Sequence, residues 1–396
     1  MRRSALLLGL VTIVSGSVIA CSATPRQTTF DDSPDAANGT VGGGTLGGED
    51  AGTGKACAPG AGNWDIPGNG CDDDGDGTVD NPPTCDGSLA ESGSAEDFAK
   101  ALGICATASK DGYGVVSAKF TRGFTSTQTP SAGQHGVLAK FGDVLKPREG
   151  SRLGVLSTGY AQEYDGAPGR RFGNASISTA YDTTSQDWGS KGDLPPGFPK
   201  AAAGCAQDKA VYDIVNLSLK LKAPNNASGV QFDFNFMSSE WPAFICSKFN
   251  DGFIAYLSAK GFNSGSADNM SFDSKKNPIS VNNGFFDRCT AGVDTGCAPG
   301  AVPAMSSCPG GAAELAGTGF GVEGTWCELL SGGKKKSTAG GGTGWLTSKA
   351  PVGPGEEFTL DFMIWDTGDG DLDSSVLLDN FKWAEGEVVV VTDRPR

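Results

Sequence analysis

Apolar and polar residues alternate with a period of two over several short stretches of this chain. Phe358, Leu360, Phe362 and Ile364 alternate with Thr359, Asp361 and Met363, and Val230, Phe232, Phe234 and Phe236 with Gln231, Asp233 and Asn235. Val215, Leu217, Leu219 and Leu221 repeat the pattern. Successive side chains of a strand point to opposite faces, so these stretches predict strands with one buried face. Shorter apolar runs at 114–120 (GVVSAKF), 153–157 (LGVLS), 253–257, 345–348 and 376–381 predict more strands. Gly, Pro, Asn and Ser separate them. The prediction is an all-β chain folded as a β-sandwich or jelly roll. One short helix is expected, with Ser94 as N-cap, Asp97 three residues on, and Phe98, Leu102 and Ile104 on its apolar side.

The 396 residues include 60 Gly, only 19% are charged, and the net charge is −15. Turns and short strands fit this composition better than long helices. The acidic balance argues against nucleic acid as a partner, because phosphate contacts need clustered Lys and Arg. The one dense basic run, Lys334–Lys336, lies in a Gly-rich loop and reads as a solvated loop tip. His135 is the single His. It sits in a GQHGVL turn and reads as structural, and its solitude rules out a His-rich metal site.

Arg2 and Arg3 precede an apolar run from Ala5 to Ile13 and then small residues, so residues 1–20 read as a signal peptide. The apolar run is too short to be read as a membrane span. Its end, Val18-Ile19-Ala20-Cys21, resembles a bacterial lipobox. That resemblance implies that Cys21 is lipidated, becomes the mature N-terminus and attaches the protein to a membrane. Ser22 in place of Asp favours the outer membrane. Residues 21–56 have hardly a large apolar side chain and read as a flexible tether. Its span is roughly 30–35 Å. Of 11 Cys, ten remain after Cys21, an even number that suggests disulfides in an exported protein. Cys57, Cys71, Cys85 and Cys105 are expected to pair among themselves. No CxxC pair occurs, which with a single His argues against zinc.

Residues 57–105 read as a small Cys-rich module that carries the helix. At its centre Asp72, Asp74 and Asp76 occupy positions 1, 3 and 5 of an EF-hand-type loop, with Gly77 at 6, Thr78 at 7 and Asp80 at 9. Position 12 is Pro83, so the bidentate acid of a sensor loop is missing. The run resembles the Cys-flanked metal-binding Asp-Gly motif of bacterial surface proteins. The alternative is an acidic turn closed by a disulfide. A second acidic turn holds Asp366, Asp369, Asp371 and Asp373, with no Lys or Arg within it. Crowded carboxylates repel unless a cation sits among them, and Ca²⁺ takes oxygen ligands of this kind. The alternative is a solvated turn.

Four ordered motifs point to a family. They are Ser238-Ser239-Glu240-Trp241-Pro242, Phe249-Asn250-Asp251, Pro278-Ile279-Ser280-Val281-Asn282-Asn283-Gly284, and Asp366-Thr367-Gly368-Asp369-Gly370-Asp371-Leu372-Asp373-Ser374. Together with Gly154–Gly159 they resemble a choice-of-anchor L domain, from about Ser94 to Trp383. Ser239-Glu240-Trp241 departs from the family's usual two acids and Tyr. The resemblance implies a β-sandwich over 106–385 on a bacterial surface protein, with a strand and tail at 386–396. It implies no known activity.

In a jelly roll, loops distant in sequence meet at one end. Glu240, Asp251, Asp366, Asp369 and Asp373 are therefore expected to converge on Ca²⁺. Trp241 and Trp365 flank these turns and are candidates for stacking a sugar ring, unless both are buried in the sandwich end. The leading reading is a non-catalytic, surface-anchored binding or adhesion protein whose ligand is a glycan or another surface protein. The alternatives are a structural envelope protein without a soluble ligand, and a glycoside hydrolase using two carboxylates ~5–9.5 Å apart. Acids clustered in Gly-rich turns suit metal coordination better than acid–base catalysis.

Overall fold

The computed structural model describes residues 57–60, 62–81, 83–164, 188–323, 327–328 and 338–395. The leader, Cys21, the tether and Lys334–Lys336 lie outside the described residues. In chain order, helix α1 (Ala95–Ala101) is followed by strands β1 (Gly114–Thr121), β2 (His135–Leu138), β3 (Leu153–Ser157), β4 (Val211–Lys222), β5 (Gly229–Ser238) and β6 (Gly252–Ser258). Short strands follow: β7 (Asp268–Asn269), β8 (Ile279–Ser280), β9 (Asp294–Thr295), β10 (Ala304–Met305), β11 (Val322–Glu323), β12 (Thr338–Ala339) and β13 (Gly341–Gly342). The chain ends with β14 (Leu346–Pro351), β15 (Glu357–Thr367), β16 (Ser374–Ala384) and β17 (Val391–Asp393).

Among the described residues these strands build two large antiparallel sheets. The first runs β1-β4-β15-β6-β7 with β8 beside β6, and the second β17-β14-β5-β16-β3-β2 with β13 beside β5. Their facing sides make the core. Leu217, Leu219, Phe253 and Phe362 of the first sheet meet Phe232, Phe234, Val376 and Leu378 of the second. Phe232 and Phe362 touch edge to face across the gap, with centroids 4.8 Å apart. Each such fully buried ring contributes about 1.5–3 kcal/mol of hydrophobic stabilisation. The all-β sandwich expected from the alternation is the fold observed.

The outer faces differ from expectation, because loops cover much of both sheets. Met363 and Trp365 point outward from β15 yet are buried with Ile254, Tyr256, Phe124 and Leu194. On the second sheet Val155, Met237 and Leu377 lie under Phe141, Leu145, Leu315 and Phe320. Hence β15 is buried on both faces, and of the polar residues that alternate along β5 Asp233 and Asn235 are buried too, at 1% and 0% exposure, while Gln231 is half-buried.

The helix forms where expected. Ser94 and Asp97 make a reciprocal capping box. Its Phe98 ring packs directly on Gly154, where a Cβ would fall 2.2 Å from the ring. Phe98, Leu102 and Trp64 belong to the sandwich core, so the 57–105 segment shares the core of the larger domain, and residues 56–396 form one compact unit. The ten cysteines form five disulfides: Cys57–Cys71, Cys85–Cys105, Cys205–Cys246, Cys289–Cys308 and Cys297–Cys327. The first four pair among themselves, as expected. His135 stacks on Phe120 at 3.8 Å, and burial pushes its pKa down to about 4, so it is a neutral packing residue.

Candidate functional site

Three connections cross from one sheet to the other at the same end of the sandwich. The chain leaves β3 through Thr158 and Gly159, leaves β5 through Ser239 and Glu240 to enter β6 after Asp251, and passes from β15 to β16 through 368–373. The acidic turn is therefore a corner between sheets. Register fixes it: Ser374 pairs with Ser238, Ser375 with Ser157, and Trp365 with Gly252. The Ser239 amide and hydroxyl both donate to the Asp373 carbonyl, at 3.1 and 2.9 Å.

This corner gathers carboxylates in a dry place. Glu240, Asp251, Asp366 and Asp373 are each at most 1% exposed. Asp251 is well held, since its Oδ1 accepts from the Thr367 amide at 3.0 Å and its Oδ2 from the Ser374 hydroxyl at 2.8 Å. Asp366 is not: neither carboxylate oxygen accepts a hydrogen bond of ordinary geometry, and the same holds for Glu240 Oε2. The nearby Thr158 hydroxyl draws the Asp366 pKa down slightly, but it contacts Asp373 Oδ1 at 3.5 Å and the Ser374 carbonyl at 3.4 Å.

Electrostatics agree with this picture. Burial raises the Glu240 carboxyl well above its usual range, and Asp251, Asp369 and Asp371 raise it further. Burial does the same to Asp366, reinforced by Asp251, Asp373 and Asp213. Asp251 is pushed up to about 7 by burial, against the pull of the Ser374 hydroxyl, the Thr367 amide and the neighbouring Asp366 carboxyl. No Lys, Arg or His is among the groups acting on any of the three. Buried acids in this state either hold protons or share a cation. An all-oxygen donor set with orphaned oxygens fits a hard cation such as Ca²⁺. Asp369 is partly exposed and acts on Glu240 and Asp251 through charge.

The two tryptophans correct an expectation. Trp365 is 2% exposed, packed on the outer face of the first sheet, with its indole N–H on the Thr367 hydroxyl at 3.0 Å. Trp241 is 3% exposed, against Val281 and the Cys289–Cys308 disulfide. Neither offers a ring face to a sugar, because the loop layer that closes this end covers both.

The first acidic loop also departs from its expected register. Asp72 Oδ1 accepts from the Gly75 amide at 2.8 Å and its Oδ2 from Gly77 at 2.9 Å. Asp76 is tied to the Thr78 amide and the Asn81 side chain, and Asp80 to the amides of Asn69 and Gly70. In place of Asp76 and Asp80 comes Asp65, 2% exposed, which the loop spacing did not single out. Asp65 is held in the same way, by the amides of Asp73, Asp74 and Asn81, so the distances between carboxylates and not these bonds set the grouping. One carboxylate oxygen from each of Asp65, Asp72 and Asp74 lies within 4.8 Å of the others, the one such acidic group among the described residues. The sandwich-end acids are therefore set more widely than this trio. Asp65 lies seven residues before Asp72, outside any loop register. Tertiary structure brings it in, since Asn226 grips both the amide and the carbonyl of Trp64, at 3.0 and 2.9 Å.

No characterised protein and no solved structure matches the chain. A family model does: the choice-of-anchor L domain matches residues 150–382, from the loop before β3 to the last turns of β16. Helix α1 and strands β1 and β2 precede the match yet complete the same sandwich. All three sheet-crossing connections and their acids lie inside it. The chain belongs to the choice-of-anchor L family, a family of bacterial cell-surface proteins and not a known enzyme family.

Proposed function

We propose that this surface protein is a non-catalytic binding or adhesion lipoprotein, held on the outer membrane by acyl chains on Cys21, with Ca²⁺ fixing its loops. The observation that carries the calcium reading is Asp366, whose two carboxylate oxygens are buried and accept no hydrogen bond of ordinary geometry. Leaving a charged oxygen so placed costs several kcal/mol unless a proton or cation meets it. Glu240, Asp251 and Asp373 are the neighbours that would share the ion, with Asp369 at the rim. Asp65, Asp72 and Asp74 are the donors for a second, more exposed ion in the small loop. Ion binding at the sandwich end would lock three connections that otherwise hold mutually repelling acids. Burial also argues against the glycosidase alternative, because carboxyls at most 1% exposed are closed to a polymeric sugar. The ligand is a glycan or a surface protein.

The test is the melting temperature of the full chain in EDTA and in 10 mM CaCl₂, about ten times the weak end of extracellular calcium sites. A rise of several degrees is expected. An unchanged melting temperature would remove calcium from the reading.

A further inference from the structure

We infer that the open half of the second sheet's outer face is a binding cleft for a carboxylate-bearing glycan, with Arg148 as the residue that grips the carboxylate. Among the described residues the loop layer covers one half of that face, over Val155, Met237 and Leu377. The other half is the floor of a cleft of about 530 Å³. Ligand pockets commonly have this size. Two rows of side chains cross its floor. Asp233, Thr347 and Asp393 face one another on β5, β14 and β17, and Gln231, Lys349 and Val391 form the next row.

Arg148 forms one wall, and two buried acids are committed to holding it. Its Nε donates to Asp233 at 3.1 Å, and Asp233 is 1% exposed. Its backbone amide donates to the fully buried Asp379, which also accepts from the Glu149 amide. A bulge in β16 between Asp379 and Lys382 supplies the remaining support. There Asn380 takes a left-handed φ of 54° and donates its side-chain amide to Asp233 at 2.9 Å. Thr347 donates its hydroxyl to the other Asp233 oxygen. Bulges of this kind commonly re-aim side chains at binding sites. The guanidinium is thereby fixed through Nε, and its two terminal nitrogens have no partner among the described residues. Such a preorganised fork is the geometry that recognises carboxylates in bidentate fashion.

The rest of the cleft agrees. The Lys349 ammonium, also without a partner among the described residues, stands on the floor beside Gln231. Arg394 closes the far end, held by the carbonyls of Thr343 and Phe285 and by Asp287. Asp393 is the one floor acid not committed to Arg148. In a chain of net charge −15, this cleft is lined by Arg148, Lys349 and Arg394 against Asp233 and Asp393. The floor offers amide, hydroxyl, ammonium and carboxylate groups, with Val391 as its apolar patch. Hydroxyl-rich sugar rings suit such a floor. A peptide C-terminus would need an apolar hole for its last side chain. The choice of a glycan rests on the binding-protein reading above, whereas the arginine clamp stands on its own geometry.

The experiment is calorimetric titration of the full chain with trigalacturonate, its neutral methyl ester, inorganic phosphate and a short peptide with a free C-terminus. Trigalacturonate is expected to bind, and the ester about tenfold or more weakly, the loss of a charge-assisted pair. Lys349→Ala removes an ammonium that supports nothing else and should weaken binding about tenfold with an unchanged melting temperature. Arg148→Lys keeps the charge but loses the fork, and should weaken it at least as much. No acid of the metal site lines this cleft, so the affinity should be the same in EDTA, which separates failure of the calcium reading from failure of this one. The inference is overturned if trigalacturonate does not bind at about 1 mM, if the ester, phosphate or peptide binds as tightly, or if Lys349→Ala has no effect.

Discussion

Gly159 lies directly against the carboxylate of Asp373: a Cβ on residue 159 would fall 1.6 Å from Asp373 Oδ2 and 2.2 Å from its Cγ. The connection leaving β3 can thus approach the acidic corner only as glycine. Gly159→Ala must push Asp373 or the Thr158–Ser374 hydrogen bonds aside. The expected cost is about 1–3 kcal/mol of stability, the usual penalty of overpacking, with a weaker response to calcium. A variant that melts with the wild type would show that the corner is loose.

The buried acids fix the sign of the pH dependence. In unfolded chain their carboxyls titrate near ~4. Folding raises Glu240, Asp251 and Asp366, and also Asp379, which burial pushes up to about 7. A raised carboxyl favours folding while protonated, fully below its unfolded pKa, and this contribution is lost as pH rises through the folded pKa. Acids shifted down, such as Asp273, act at the acid side of that window. In EDTA the melting temperature should therefore fall between pH 5 and 7.5. Calcium binds the ionised acids, so it should flatten the fall, and its stabilisation should be larger at pH 7.5 than at pH 5. An equal calcium effect at both values would count against buried carboxylates as ligands.

The sandwich was legible because core strands write their burial into the sequence. Phe232, Phe234 and Phe236 alternate cleanly, and all three are fully buried. The outer faces were not legible. Asp233 and Asn235 look like solvent positions, yet loops distant in sequence cover or engage them, and nothing local in β5 records it. The same limit explains the site. The spacing of Asp366, Asp369 and Asp373 marks a corner, but it does not say that Asp366 is the orphan while Asp369 stays near solvent. The aromatic flanks misled for a related reason, since indoles beside a turn look alike whether a loop covers them or not. Asp65 lay outside any motif because its approach to Asp72 depends on Trp64 and Asn226, 162 residues apart.

Cys205 and Cys246 close the longest of the five disulfide loops, with a separation of 41 residues. It ties the segment before β4 to the Ser239–Asp251 connection. Restricting the unfolded chain over such a loop is worth up to about 4 kcal/mol. Replacing both cysteines by Ser should lower the midpoint of denaturant unfolding, with little change in slope. A larger slope change would mean that the acidic corner no longer folds with the rest.

Anchoring depends on Cys21 in this reading. The motive is Val18-Ile19-Ala20-Cys21 after a charged, apolar leader. Cys21→Ala should release the folded protein from the membrane fraction. Stable attachment needs acyl chains or a membrane span, and no helix among the described residues is long and apolar enough to cross a membrane. If the variant stays with the membranes after a high-salt wash, lipidation at this residue is not the anchor.

Asp366→Asn tests the metal site most directly. Asn has the shape of Asp without its charge. In EDTA at pH 7.5 it removes a buried carboxylate that accepts no hydrogen bond of ordinary geometry and has no counter-charge, so the melting temperature should hold or rise. In calcium the same change removes a ligand. Bound ion contributes RT ln(1 + [L]/Kd), about 2.7 kcal/mol at one hundred times Kd, and most of that gain should disappear. Asp369→Asn should remove less, because Asp369 is partly exposed and acts on Glu240 and Asp251 through charge. Asp74→Asn should touch only the smaller response of the Asp65–Asp72–Asp74 trio. The decisive pattern is opposite signs at one residue: Asp366→Asn neutral or stabilising without calcium and destabilising with it. Loss of stability in both conditions would mean that Asp366 is held by the protein itself, and full retention of the calcium response would place the ion elsewhere.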